Sequence, residues 1–420
     1  MNSKIKYLQH KADNMLRTDT AYLFKSGSWN ILNFLMTVGF GVLTTIALAN
    51  WLPKNILGTY QFVLAIASIL AVCTLSGVGT AIIRSVARGE EGMFRYGFRL
   101  KLKWSIIIIV LSGVISTYYY LMGDTSLATA FLIVGVTTPF IESFKLYENY
   151  LTGKEAFKQT VTLGFWRKPI PLISVGAAAY FSNDVVVLIV AYFLSHTISY
   201  GLVYFQVVKK YHPPLKESES ALILSKHMSV MRIITMLTTN IDKIVIWHFL
   251  GPIAVASFTI AQVTTRYASG VLNSLTVIVL PKVSKQELHI LHTTLPRKVA
   301  IFTLAMLMVA LLYASIVPFL FSIIFPEYPE SVFIAQLLAV LFVLAPSKIF
   351  SQALIAHNLL KAQYFITFLS PVIFITLLLI LTPEYQLLGA AVSVVITSAF
   401  VAALNFLFFF YFSKSTKYRI

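Results

Sequence analysis

Twelve stretches of this chain are each long and apolar enough to cross a lipid bilayer. They run approximately over 26–50, 57–83, 104–122, 126–147, 161–181, 185–207, 224–249, 254–280, 299–325, 332–356, 363–382 and 387–412. A helix needs about 20 predominantly apolar residues to span the hydrocarbon core. Only helices and closed barrels satisfy every backbone group in lipid. Runs such as "WSIIIIVLSGVIS" and "FITLLLILT" lack the alternation of barrel strands, so the spans are helical. The chain is 58% hydrophobic and 12% charged, whereas soluble domains average about 25% charged residues. Lipid is the solvent that such a chain requires.

The formal net charge of +17 would suit a nucleic-acid binder, but its distribution follows the spans. With the N-terminus inside, the inner segments hold 28 of the 33 basic residues, Arg167 and Lys168 being counted with the third of them. Lys54 alone falls in an outer turn, and Arg232, Lys243, Arg266 and Lys348 lie within spans. The positive-inside rule predicts this asymmetry for a protein with both termini cytoplasmic. Anionic headgroups of membrane lipids would meet the inner bases. Nucleic-acid binding would instead cluster the bases on one surface with interleaved aromatics, and no nucleic-acid partner is expected. The basic N-terminus "MNSKIKYLQHKADNMLRTDTAYLFK" has no apolar run before a cleavage site, so a cleaved signal peptide is not expected.

The turns on the other side are short, among them "WLPKN", "MGDT", "SND", "LGPI" and "PEYPE". They leave no external domain for catalysis, and function must reside among the helices. A single cysteine, Cys73, excludes an internal disulfide framework and a cysteine metal site. "TGKEA" at 152–156 lacks the glycine and hydroxyl residue of a phosphate loop. No catalytic residues, metal or cofactor are expected. Glu90 and Glu91 read as a solvated loop.

A shift of 198 residues brings the two halves into correspondence. "ANWLPKNILGTYQF" (49–62) falls on "WHFLGPIAVASFTI" (247–260), with Leu52 on Leu250, Leu57 on Val255 and Tyr60 on Phe258. An even number of spans per half gives both halves the same orientation, as in parallel-repeat transporters. The expected architecture is an all-α polytopic membrane protein. It has twelve transmembrane helices in two pseudo-symmetric six-helix lobes around a central cavity. The N-lobe is 1–208, a cytoplasmic linker 209–223 contains "KKYHPPLKES", and the C-lobe is 224–420.

Polar residues gather into stripes on several spans. At about 100° per residue, Arg232, Thr235, Thr239 and Lys243 share one face of span 7, with Asp242 at its edge. Gln262, Thr265, Arg266, Ser269, Asn273 and Thr276 share a face of span 8. Span 1 aligns Asn30, Asn33, Thr37 and Thr44, and span 10 offers Ser347, Lys348, Ser351 and Gln352. The neutral members suit helix–helix interfaces. The charges cost more: about 2.5–3.5 kcal/mol each at a helix centre, or on the order of 12–17 kcal/mol for Arg232, Asp242, Lys243, Arg266 and Lys348 together. Asp242 could form a structural ion pair with Lys243 or Arg266. Four bases against one acid still leave positive charge in excess. A hydrated cavity that receives an anion accounts for it, with Arg266, Lys348, Arg232 and Lys243 as its cations. Asn273, Gln262, Asn33 and Thr37 would be neutral substrate contacts, and Asp242, the one clearly intramembrane acid on this reading, would couple an ion. His196 reads as a packing residue, and Pro139, Pro318, Pro346 and Pro371 as helix-shaping.

"GTYQFVLAIASILAVCTLSGVGTAIIRSVAR" (58–88), "DKIVIWHFLGPIAVASFTIA" (242–261) and "FPEYPESVFIAQLLAV" (325–340) resemble stretches of Wzx-type O-antigen and polysaccharide flippases. These belong to the multidrug/oligosaccharidyl-lipid/polysaccharide (MOP) exporter superfamily. The resemblance implies a non-enzymatic flippase of the bacterial cytoplasmic (inner) membrane. It would move an undecaprenyl-pyrophosphate-linked oligosaccharide, such as a lipopolysaccharide O-antigen unit, to the outer leaflet by alternating access. A proton or sodium gradient or the membrane potential would drive it, and polysaccharide polymerase or assembly proteins would be its partners. The alternatives are a MATE-like cation-coupled multidrug exporter, a membrane glycosyltransferase or polymerase, and a structural scaffold. The first would want an acid deep in the first half, which span 1 lacks. The second would want a large external loop.

Overall fold

The computed structural model describes residues 20–214, 229, 238–263, 265–266, 288–357 and 359–415, and all regular secondary structure among them is helical. In the first half α1 (Thr20–Trp51), α2 (Lys54–Val72), α3 (Val78–Ala87), α4 (Met93–Trp104) and α5 (Ile106–Leu121) are followed by α6 (Thr125–Phe144) and α7 (Leu146–Gly153). Then come α8 (Phe157–Arg167), α9 (Pro169–Phe181) and α10 (Val185–Tyr211). The second half contributes α11 (Thr238–Val263), α12 (Leu288–Ile324), α13 (Glu330–Leu338), α14 (Val340–Leu344), α15 (Lys348–Ala356) and α16 (Leu360–Ser415). Residues 215–223 of the predicted linker lie outside the described residues.

Nine described stretches are long and apolar enough to cross a membrane, and two of these double back. In α11, Gln262 Nε2 donates to Asp242 Oδ2 at 2.8 Å. Twenty residues of straight helix would separate the two by about 30 Å, so the chain reverses between them. It does so at Gly251, whose φ of +79° suits a residue without Cβ. In α16 the reversal is at Gln386, with φ 52° and ψ −135°. With both arms of these hairpins and α8–α9, the described helices contain parts of all twelve predicted crossings. The break between α1 and α2 falls at Leu52–Pro53, which the 198-residue shift places on Leu250–Gly251. Leu57 and Val255 are both buried, as are Tyr60 and Phe258. The matched positions therefore do the same packing work in the two halves.

Apolar residues also cover the outside. Val114, Ile173, Leu312 and Val372 are each at least 60% exposed, as expected of side chains solvated by lipid acyl chains. The protein is a multi-pass membrane protein.

Packing divides the chain into two compact units. The first draws on the described residues of Met1–Thr44, Cys73–Ala178 and Val186–Ser229. Its core includes a ring cluster in which Phe94 stacks on Tyr150 at 4.4 Å and Phe98 on Tyr204 at 4.7 Å. The second draws on Thr45–Val72, Ala179–Val185 and Val230–Ile420, and part of its core is Leu291, Leu295, Val299, Phe350 and Phe409.

Glu91 departs from the solvated-loop expectation. Its carboxylate accepts from Tyr150 Oη at 2.6 Å and from Lys154 Nζ, which ties the α3–α4 loop to α7. Burial pushes this carboxyl up, but the bonds from Lys154 and Tyr150 outweigh burial and hold it below the usual carboxylate range. A lowered folded-state pKa adds stability above the unfolded pKa, and that stability is lost as pH falls through the folded value. Acidification from about pH 7 to about pH 3.5 is therefore expected to lower the melting temperature of the wild type more than that of Glu91→Gln. Equal slopes of melting temperature against pH would refute the linkage.

Candidate functional site

The α11 hairpin brings four of the predicted site residues together. Asp242 and Gln262 are equally spaced from Pro252, so they meet across the two antiparallel arms. Ten residues of helix from the turn put the pair at about 15 Å, the mid-depth of a hydrocarbon core about 30 Å thick. Asp242 is 3% and Lys243 4% exposed. Asp242 Oδ1 accepts from the Lys243 backbone N–H at 2.9 Å, and Lys243 Nζ lies 4.0 Å away. Arg266 Nη2 is 3.7 Å from Asp242 Oδ2 and donates to the Thr239 carbonyl at 3.4 Å. One carboxylate thus stands against two cations. It is enclosed, while the Arg266 side chain is 47% exposed. The ion pair holds the acid, and the surplus positive charge is the accessible part of the cluster.

Lys348 belongs to a different construction in the same unit. Span 10 is broken: α13 and α14 give way to a 3₁₀ turn at Ala345–Ser347, and α15 starts at Lys348. Pro346 has no N–H for the preceding turn, which explains the break. Ser347 Oγ donates instead to the Leu344 carbonyl at 2.7 Å. Mid-helix 3₁₀ turns often mark functional positions. This one places the exposed Lys348 on a cavity of about 350 Å³, lined also by Thr238, Ser370, Thr397, Ser398 and Asn405. Thr238 stands one helical turn before Asp242, so the hairpin arm that carries the ion pair also borders the cavity. Arg232 and Asn273 lie outside the described residues.

Asn33 and Thr37 sit in the first unit, where their partner is a base that the sequence had assigned to a loop. Lys168 Nζ donates to Thr37 Oγ1 at 2.8 Å and to Asn33 Oδ1 at 3.1 Å. Arg167 ends α8 and Lys168 links it to α9, within the predicted crossing 161–181. The Arg167 guanidinium is 3.7 Å from the centre of the Tyr200 ring and 3.6 Å from Glu148 Oε1. Asp242 is also not the only acid within a membrane span. Glu142 lies in the apolar span Thr125–Gly153 and accepts from Lys101 at 2.9 Å and Lys145 at 2.7 Å. Two lysines on one carboxylate again leave a net positive charge. His196 Nδ1 lies 2.8 Å from the Tyr192 carbonyl, with its ring against Tyr192, the arrangement of a packing residue.

Residues 23–287 match the model of a family described as polysaccharide biosynthesis protein. The chain belongs to that family. This polysaccharide biosynthesis protein also shares its fold with solved MOP-superfamily transporters. One is an inward-facing multidrug resistance MATE family transporter, 16% identical over 91% of this chain and 95% of that one, with a TM-score of 0.74. An outward-facing multidrug resistance MATE family transporter gives a TM-score of 0.60 at 16% identity, covering 94% and 96% of the two chains. A MOP superfamily transporter from Pyrococcus furiosus, whose binding pocket is described as reversed in polarity, gives 0.64 at 16% identity, covering 94% and 96%. No curated protein matches the sequence. Family and fold together make the chain a helical membrane protein of the polysaccharide biosynthesis family with the fold of the MOP-superfamily transporters. Among the described residues, Asp242 and Glu142 are each outnumbered by the bases within 4 Å of them.

Proposed function

We propose that the protein flips an undecaprenyl-pyrophosphate-linked oligosaccharide from the inner to the outer leaflet of a bacterial cytoplasmic membrane. Alternating access provides the path, and both termini are cytoplasmic, as the placement of the bases requires. The observation that carries the reading is the accessible surplus charge of Arg266, just beyond α11. Arg266 is half exposed beside a carboxylate already bonded to Gln262 and close to Lys243. A cation at that depth costs about 2.5–3.5 kcal/mol unless water or an anion meets it. A pyrophosphate linked to a lipid offers such an anion while its acyl chain stays in the bilayer. Guanidinium binds phosphate in a bidentate fork that an ammonium does not reproduce.

Deletion of the gene is therefore expected to leave lipid-linked repeat units on the inner leaflet. Complementation by Arg266→Ala is expected to fall at least about tenfold, which is about 1.4 kcal/mol of binding, and Arg266→Lys is expected to recover part of it. Full transport by both variants at normal membrane abundance would remove Arg266 from the site. A proton or sodium gradient acting through Asp242, or the membrane potential, drives the cycle on this reading.

The fold likeness to multidrug transporters supports a second reading, export of cationic drugs. A cationic drug needs an accessible carboxylate, and Asp242 is 3% exposed behind its bonds. Overexpression is accordingly expected to give no resistance to cationic dyes. Resistance would favour the exporter.

A further inference from the structure

The turn between α1 and α2 is clipped on both sides to the second half of the chain. Before the break Asn50 Nδ2 donates to the Ile324 carbonyl at 2.9 Å, and after it Lys54 Nζ donates to Glu330 Oε1 at 2.8 Å. The same Glu330 oxygen accepts from Ser257 Oγ at 2.7 Å, and Ser331 Oγ donates to the Ser257 carbonyl at 2.8 Å. One carboxylate oxygen thus joins α2, α11 and α13. All of these residues belong to the second compact unit.

The Lys54–Glu330 pair differs from the ion pair deeper in α11. Its side chains are 28% and 39% exposed, against 5% and 4% for Lys243 and Asp242. A hydrated pair is weak and can part and reform, whereas parting a buried one strands a charge. Lys54 is also the only base that the sequence puts in an outer turn, where the positive-inside asymmetry disfavours one; the contact with Glu330 gives it a local reason. Glu330 opens α13, and a helix N-terminus favours an acid whether or not a base is present. The Lys54 ammonium meets Glu330 and, at 5.0 Å from its centre, the Tyr328 ring. Lys54 is therefore the member that can leave while Glu330 stays supported. From this geometry we infer that the Lys54–Glu330 pair is an outer latch. It holds the α1–α2 turn onto α11 and α13 while substrate is taken from the inner leaflet, and it parts once per cycle for release to the outer one. The latch rests on the flippase reading for its place in a cycle, but its opening can be measured without transport.

Full-length protein carrying Cys73→Ala and Ser257→Cys reports the state of the latch, since Ser257 is 1% exposed and bonded to Glu330. An impermeant maleimide is applied from outside to right-side-out vesicles. Its rate of reaction is expected to rise about two- to fivefold in Glu330→Gln and in Lys54→Met, the range through which a half-hydrated pair shifts an equilibrium. The double variant Lys54→Met/Glu330→Gln should be no faster than either single one, because both remove the same interaction. Raising external salt from about 0.1 M to about 1 M should speed labelling of the parent and leave Glu330→Gln unchanged, since screening acts only where the pair exists. Equal labelling of the parent and both single variants, rates that multiply in the double variant, or salt effects of one size in parent and Glu330→Gln would overturn the latch. If the deletion strain accumulates lipid-linked units and labelling is unchanged, the latch fails while the flippase reading stands. If labelling responds as expected and the strain accumulates nothing, the flippase reading fails and the latch stands.

Discussion

Replacing Asp242 with alanine is expected to destabilise the protein by about 3–5 kcal/mol, the cost of breaking a buried ion pair by removing one partner. Lys243 is 4% exposed and would lose its nearest carboxylate in a low-dielectric setting, where its ammonium is no longer compensated. Gln262 would lose the acceptor of its Nε2 bond, and its Oε1 has no partner among the described residues as it is. Asp242→Asn keeps an oxygen for Gln262 and removes only the charge, so its loss should be smaller. In Asp242→Ala/Lys243→Met both charges disappear together, and removing a buried pair whole is often neutral. Thermal denaturation in nanodiscs should therefore rank the double variant above Asp242→Ala. Flipping then separates structure from coupling. If Asp242 carries the driving ion, Asp242→Asn and the double variant are folded and inactive. A double variant that is stable and also flips substrate would leave Asp242 with a structural role only.

The crossings were legible because twenty apolar residues in a row have one use, and the reversals because "LPK", "LGPI" and "TPEYQ" interrupt them with proline or glycine. The α11 cluster was half legible. Helical periodicity put Gln262, Thr265 and Arg266 on one stripe, but only packing shows Gln262 and Thr265 buried at 5% and 2% while Arg266 reaches out. Arg167 and Lys168 were counted only as bases of an inner segment, because their partners Tyr200, Asn33 and Thr37 are far away in sequence. Glu142 was passed over because Lys101, across the helix pair, is invisible to periodicity along one span. The cavity residues on α16 did leave a signal. Val394, Thr397, Ser398, Val401 and Asn405 recur at intervals of three and four, one helix face, in a stretch whose overall hydropathy hides its polar members.

Gly58→Ala is expected to abolish transport with a change no larger than one methyl group. A Cβ at Gly58 would lie 1.8 Å from the Pro252 carbonyl oxygen and 2.5 Å from its carbon, so α2 touches the α11 turn backbone to backbone. Further contacts surround this approach. Phe62 stacks on Trp247 with centroids 4.2 Å apart, and Asn50 Nδ2 donates to the Ile324 carbonyl at 2.9 Å. Lys54, the one base on the side of the short turns, binds Glu330 Oε1 at 2.8 Å, and Ser257 Oγ donates to the same oxygen at 2.7 Å. Since Pro252 presents backbone, no side-chain rotation can relieve the overlap. Overpacking costs about 1–3 kcal/mol, and here α2 must withdraw from the hairpin to escape it. The consequence is measurable at Ser257, which is 1% exposed. In a Cys73→Ala background, Ser257→Cys should react slowly with an impermeant maleimide, and adding Gly58→Ala should raise the rate several-fold. Flipping should be lost while the protein still elutes as a folded species. Unchanged labelling together with normal flipping would mean that α2 tolerates the methyl group, and that this backbone contact is not part of the transport cycle.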